Sequence, residues 1–479
     1  MKALEIAKKL SVVLCLLLAL TMVFAACGGE PVADPNEPGA SDVQGNDQQD
    51  EQQGDQQNQQ GQQGQQGQQG GSKGTKFATD YVAEAKAQFS GSNLHVIMWR
   101  QYTATEKSLV DSFSKKTGIK VRTTVTTEAE YATKLASLIS GKDSPDVVCF
   151  NGNNFPGFVV KSLQSLKPDK FKLDDPAWYK QYMDNYAVNG KYFAVAINGS
   201  WAVEDCNYVT YYNPNTLTGL SDPYSLYKQG KWNWAEAKKI ATSVSKKGSN
   251  YMGMSLQGKD LYMLSAGLEF IGYNGKQFTN NLNDAAKTKN ITAAWNEVST
   301  LVADNLVKNW DPQGISNGTT GLFSAIAFGL YNEGGWFDNV STKGGVGALK
   351  AVPLPGPNGG TAYTPVRPKV WGVAKGAKNP GAAAYFLRYF LDPANCNMDK
   401  TFYNSQFKEV YNIVTSKSAK KQVLVTSGVM DYTTAGAYKD FTEELGNAAP
   451  AQQTTILNRY KSRFETNVKR ANAQLKNAK

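Results

Sequence analysis

Leu94-His95-Val96-Ile97-Met98-Trp99, Ile119 to Val125, and Asp146-Val147-Val148-Cys149-Phe150 are three short apolar, β-branched runs, and the segments between them decide the fold. Glu106 to Thr117 carries apolar residues at helical spacing and stops at Gly118, and Ala129 to Ser140 repeats that pattern. Strand, helix, strand, helix, strand predicts an α/β architecture: a parallel sheet with right-handed crossovers. In such sheets ligands sit beyond the carboxyl ends of the strands. The residues there are Trp99, Arg100 and Tyr102 after the first strand, and Asn151, Asn153 and Asn154 after the third.

Outward from this unit the chain is divided by composition. Lys2, Lys8 and Lys9 precede an almost unbroken apolar run from Leu10 to Phe24, closed by Ala25-Ala26-Cys27-Gly28. That is the layout of a secretory signal. With a cysteine directly after the small residues, it resembles a bacterial lipoprotein signal, which implies diacylated Cys27 as the mature N-terminus. A secreted protein without lipid and an uncleaved anchor helix are the other readings, the second disfavoured because a spanning helix needs ~20 apolar residues.

Gly28 to Ser72 contains no Trp, Tyr, Phe, Leu or Ile and ends in repeated Gln-Gln-Gly. It cannot bury enough apolar surface to offset chain entropy, so it reads as a tether over 28–76. About 45 flexible residues span roughly 35 to 40 Å by random-coil scaling, enough to hold a folded body off a membrane. Glycine interrupts every Gln run, which argues against an aggregating segment.

Charge follows the same division. The signal carries three Lys against Glu5, the tether carries eight acids and no base, and the total of +10 therefore leaves +16 on residues 73–479. So basic a body suits anionic partners such as wall polymers, lipid surfaces or acidic glycans, although a distributed Lys excess is the usual solvated face. Nucleic acid is not expected, because neither zinc-finger spacing nor a single-strand-binding aromatic signature is present.

About 400 residues follow the tether, more than one core usually covers, so two lobes are expected. Ser144-Pro145-Asp146-Val147-Val148, Asn189 to Ala196, Val209-Thr210-Tyr211-Tyr212-Asn213 and Trp232-Asn233-Trp234-Ala235-Glu236-Ala237 are similar to landmarks of one family. So are Ala325 to Leu330 leading to Gly335-Trp336, Val352-Pro353-Leu354-Pro355, Trp371-Gly372-Val373-Ala374 and Lys378 to Leu387, in the same order. Over nearly all of 77–479 the chain resembles family 1 extracellular solute-binding proteins of ATP-binding cassette sugar importers.

The resemblance implies a two-lobe, periplasmic-binding-protein-like α/β fold with three hinge crossings and a cleft between the lobes, closing on ligand. The crossings would lie near Ala196 to Ser200, near Arg367 to Trp371, and within 410–420. The N-lobe would then be 77–197 plus 370–412, and the C-lobe 198–369 plus 413–479. It further implies a monomer that captures a carbohydrate, an oligosaccharide in length, and delivers it to permease subunits at the outer face of a bacterial membrane of Gram-positive type. A surface adhesin or sensor subunit with the same body is an alternative.

Sugars present apolar C–H faces flanked by hydroxyls, so their sites need aromatic platforms plus groups that hydrogen-bond in two directions. Trp99, Trp201, Trp336 and Trp371 occupy places a cleft can use; Trp232 and Trp234 open a helix and read as structural, and Trp178, Trp295 and Trp310 as core. The polar candidates are Arg100, Asn151, Asn154, Asn198, Glu333 and Arg367, with the two arginines able to clamp an acidic sugar bidentately.

Enzyme readings fail on inventory. The single histidine, His95, lies inside an apolar strand, and no Gly-x-Ser-x-Gly, His-Glu-x-x-His, P-loop or Gly-x-Gly-x-x-Gly segment occurs. A glycosidase needs only two carboxylates and stays as the chemical alternative. Beyond Cys15 and Cys27, the remaining Cys149, Cys206 and Cys396 have no metal spacing, so no metal or cofactor is expected; at most one disulfide can form among them.

Overall fold

The computed structural model describes residues 76–204, 207–332, 337, 346–396, 402–430 and 437–478. Cys27, the tether up to residue 75, Cys206, Glu333 and Trp336 lie outside the described residues, as do the side-chain surroundings of Trp201.

The first lobe is built on β1 (Asn93–Met98), β2 (Lys120–Val125), β3 (Val147–Phe150) and β4 (Leu163–Gln164), with β13 (Val370–Ala374) inserted in the order β2-β1-β3-β13-β4. β1 runs parallel to β2 and β3, as expected, while β13 pairs antiparallel with β3 and β4. Apart from Asn93, every residue of β1 is buried, which is why its sequence is a continuous apolar run. β2 is one of the two edge strands and carries Lys120 and Arg122, which discourage pairing with another chain. The Ala104–Thr117 helix starts at a capping box between Thr103 and Glu106 and ends at Gly118, whose φ of 74° suits glycine.

The second lobe holds β5 (Tyr208–Tyr212), β6 (Met252–Leu256), β9 (Val307–Asn309), β10 (Thr320–Ile326) and β11 (Lys350–Pro353) in the order β11-β5-β10-β6-β9. β5 is antiparallel to both its neighbours, and β10, β6 and β9 are parallel. Trp232 and Trp234 are buried and tie the start of the Trp234–Ser245 helix to the end of β11 and the chain just after it: their indole N–H groups donate to the carbonyls of Pro353 (2.8 Å) and Pro355 (3.0 Å). Trp178 and Trp295 are core residues, 3% and 0% exposed. A hairpin of β7 (Ile271–Tyr273) and β8 (Phe278–Asn280) leans on the first lobe, where the Tyr273 hydroxyl donates to Ala187 O (2.7 Å) and Phe155 packs edge-on to Tyr273 at 5.2 Å.

Val195 bridges Trp371 in the first lobe, while Asn207 bridges Val366 beyond it, so the chain passes between the lobes within 196–206 and again within 367–369. At the second passage, β12 (Thr364–Val366) pairs in parallel with β14 (Lys421–Val423).

The third crossing lies earlier than 410–420. The Ser405–Thr415 helix already sits on the second lobe, with Gln406 exchanging hydrogen bonds with both backbone groups of Ala351 (3.0 and 2.7 Å). Its apolar face, Phe407, Val410, Tyr411 and Val414, is buried with Val209, Tyr211 and Phe323. Residues 405–412 therefore belong to the C-lobe. The C-terminal Pro450–Leu475 helix spans the division instead of keeping to one lobe: Asn472 brackets Phe278 of β8 with two hydrogen bonds, while Gln474 packs against Gly157 of the first lobe. No helix among the described residues is long and apolar enough to cross a membrane.

Candidate functional site

The carboxyl ends of β1, β2 and β3 bring one cluster together. Trp99 follows β1 and is half-buried, held edge-on by Tyr131 at 5.3 Å. Tyr131 is fixed in turn by its hydroxyl, which donates to Cys149 O of β3 (2.7 Å). The Lys369 ammonium lies 6.0 Å from the Trp99 ring centre, within cation–π range. Lys369 also ties the two crossings together: its backbone N–H donates to Val203 O (2.9 Å) in the short Trp201–Glu204 helix. Arg367, two residues earlier in the same crossing, donates to Asn153 Oδ1 (3.3 Å) after β3.

Glu128, in the loop after β2, completes the cluster. Burial pushes its carboxyl above the ordinary value, while the Arg367 and Lys369 charges pull it back. An aromatic face, a carboxylate, an amide and two cations thus surround the hinge, able to stack and to hydrogen-bond in both senses. Glu128 and Lys369 were missed by sequence reasoning. The strand-end rule that picked out Trp99 and Asn151 would have found Glu128 had it been applied to the second strand as well.

Other candidates are committed elsewhere. Arg100 holds Glu106 bidentately (2.6 and 2.8 Å), and that carboxylate is 1% exposed at the helix cap. The guanidinium therefore neutralises a buried structural charge. Tyr102 accepts from Thr123 Oγ1 (3.2 Å), and burial pushes its phenol well up. Asn151 and Asn154 cap each other's turn: Asn151 Oδ1 accepts from Asn153 N (2.9 Å) and Asn154 Oδ1 from Asn151 N (3.1 Å). Asn198 accepts from Lys421 Nζ (2.8 Å), which itself lies over the rings of Tyr179 and Tyr182. Trp371 is 1% exposed, packed edge-on to Phe390 at 5.3 Å, so it fills the core rather than joining Trp99.

Residues 99–395, well over half of the chain, match the bacterial extracellular solute-binding protein family. The chain belongs to that family. Solved structures give the same two-lobe fold to this solute-binding protein. The cyclic alpha-maltosyl-1,6-maltose binding protein from Arthrobacter globiformis superposes with a TM-score of 0.57 at 14% identity, covering 80% of this chain and 99% of that one. The sugar-binding protein MalE from Xanthomonas citri gives 0.59 at 15% identity, over 78% of this chain and 98% of its own. An ABC substrate-binding protein of Listeria monocytogenes, in complex with cycloalternan, gives 0.54 at 16%, with 78% and 98% covered. No curated protein matches the chain in sequence.

Proposed function

We propose that this solute-binding protein captures a neutral oligosaccharide in the interlobe cleft and delivers it to an ATP-binding cassette permease. The observation that carries the reading is the Trp99 platform beside Glu128, Arg367 and Lys369, at the point where Lys369 bonds the other crossing. Stacking takes the C–H face of a sugar, and the charged groups and Asn153 take its hydroxyls. Contacts from both lobes form together only in the closed arrangement, so ligand favours closure. The cyclic maltosyl, cycloalternan and maltose ligands of structurally similar proteins support a carbohydrate. A neutral one is favoured because Arg100 is bound to Glu106 and Arg367 faces Glu128 and Asn153, leaving no paired arginine clamp for a carboxylate.

The test is titration calorimetry of the full chain against neutral and acidic oligosaccharides. A stack contributes about 0.5 to 1.5 kcal/mol beyond its burial, and one decade of affinity is about 1.4 kcal/mol, so Trp99→Ala is expected to weaken binding roughly tenfold. Glu128→Gln is expected to weaken it as well, and the bound glycan should be recovered intact. Unchanged affinity in both variants would remove the site, and multiple-turnover cleavage would replace capture by hydrolysis.

The same proposal includes a lipid anchor on Cys27 at the outer face of the membrane, supported by the basic, apolar and small-residue order of residues 1–27. Cys27→Ala is expected to release the protein from membranes without unfolding it. An unacylated mature N-terminus in mass spectrometry would reject this part.

A further inference from the structure

Beside the β7–β8 hairpin lies a cavity of about 240 Å³. It shares no lining residue with the Trp99, Glu128, Arg367 and Lys369 cluster. Asn185 of the first lobe forms one wall, Glu269, Tyr273 and Lys287 of the second lobe form others, and Gln422 and Thr426 close it from β14 and the turn that follows.

Its polar groups are arranged as a set. The Glu269 carboxyl accepts from Gln422 Nε2 through one oxygen and from Thr426 Oγ1 (2.9 Å) through the other. A carboxyl group has about four acceptor positions, so both oxygens keep spare acceptor capacity. Across the cavity, Lys287 Nζ donates to Asn281 Oδ1 (3.0 Å). With one acid and one base in the lining, a guest ion of either sign meets a like charge, which selects a guest without net charge. The amides and the hydroxyl offer donors and acceptors together, and Leu268, Ile291, Val423 and Val425 supply apolar surface between them. Apolar faces edged by hydroxyls are the complement of such a lining.

Size narrows the class. A water occupies about 30 Å³ of liquid, and drug-sized ligands take pockets of about 300 Å³ upward. A cavity between these limits matches a single sugar ring or a smaller polyol, not an oligosaccharide.

We propose that this cavity is a second binding site, for a neutral polyol no larger than a monosaccharide, independent of the Trp99 cluster at the hinge. The experiment titrates the full chain with glucose, galactose, myo-inositol and glycerol by calorimetry, in wild type and in Trp99→Ala, Thr426→Val and Glu269→Gln. At least one of these polyols is expected to bind wild type and Trp99→Ala within twofold of each other, and to lose tenfold or more in both cavity variants. Thr426→Val conserves shape and keeps the test open where Glu269→Gln does not fold, as far-ultraviolet circular dichroism reports. The oligosaccharide affinity of the cleft, measured on the same variants, should be unchanged by Thr426→Val, so failure of the cavity and failure of the cleft are separately visible. No heat from any of the four with wild type means a cavity that holds water only, and overturns the proposal. So does a polyol lost in Trp99→Ala but retained in Thr426→Val, since it would then sit in the cleft.

Discussion

Trp371→Ala is expected to lower the stability of the protein by about 3 to 5 kcal/mol, the range for removing a large aromatic from a packed core. The indole is 1% exposed and sits edge-on to Phe390 from β13, the strand that the first sheet receives between β3 and β4. Both backbone groups of Trp371 bond Val195, by N–H donation (3.1 Å) and carbonyl acceptance (2.8 Å), so the strand cannot shift to fill the gap without breaking that bridge. Equilibrium urea unfolding measures the loss, and the surviving folded fraction should bind sugar with wild-type affinity. A variant of full stability that no longer binds would instead make Trp371 a ligand platform. Trp99, half-buried at the hinge, should show the opposite balance, losing affinity more than stability.

Glu269→Gln is expected to change how stability depends on pH. The Glu269 carboxyl is surrounded by protein although the cavity leaves part of the residue accessible, and burial raises its pKa from 4.5 to about 7, against the opposing hydrogen bonds from Gln422 and Thr426. Between those values the folded chain holds a proton that the unfolded chain has released. The resulting stabilisation is fully present below 4.5 and is lost as pH rises through 7. At 1.36 kcal/mol per unit the loss approaches about 3 kcal/mol. A glutamine has no proton to lose, so the variant should match wild type near pH 4.5 and exceed it at pH 8, by as much as about 2 to 3 kcal/mol. Parallel stability curves for the two proteins across this range would sink the assignment.

The first lobe was legible in detail because both faces of its sheet are covered. Burial on two sides turns β1 and β3 into unbroken apolar runs, and the capping box at Thr103 and the left-handed Gly118 mark the intervening helix at both ends. The antiparallel entry of β13 was not legible, since five residues carry no record of which distant strands they pair with. Nor was the lobe that takes the Ser405–Thr415 helix: its period shows an apolar face, but Tyr211 and Phe323, which receive that face, are far away in sequence. At the proposed site, strand ends singled out Trp99 and Asn153, which the fold brings to one end of the first sheet. They overvalued Arg100, whose partner Glu106 lies only six residues on and does double duty in the cap. Glu128 and Lys369 are single charges without a pattern, and only the fold gives them neighbours.

The order of the first sheet also sets a timetable. β3 and β4 are synthesised together, but the strand that belongs between them begins at Val370, more than two hundred residues later. Until that stretch has emerged, β3 presents an unpaired inner edge and the lobe has no finished core, so its first two hundred residues cannot settle into a locked domain. The waiting is built into the topology: the N-terminal half stays open for as long as the strand that would close it has not yet been made.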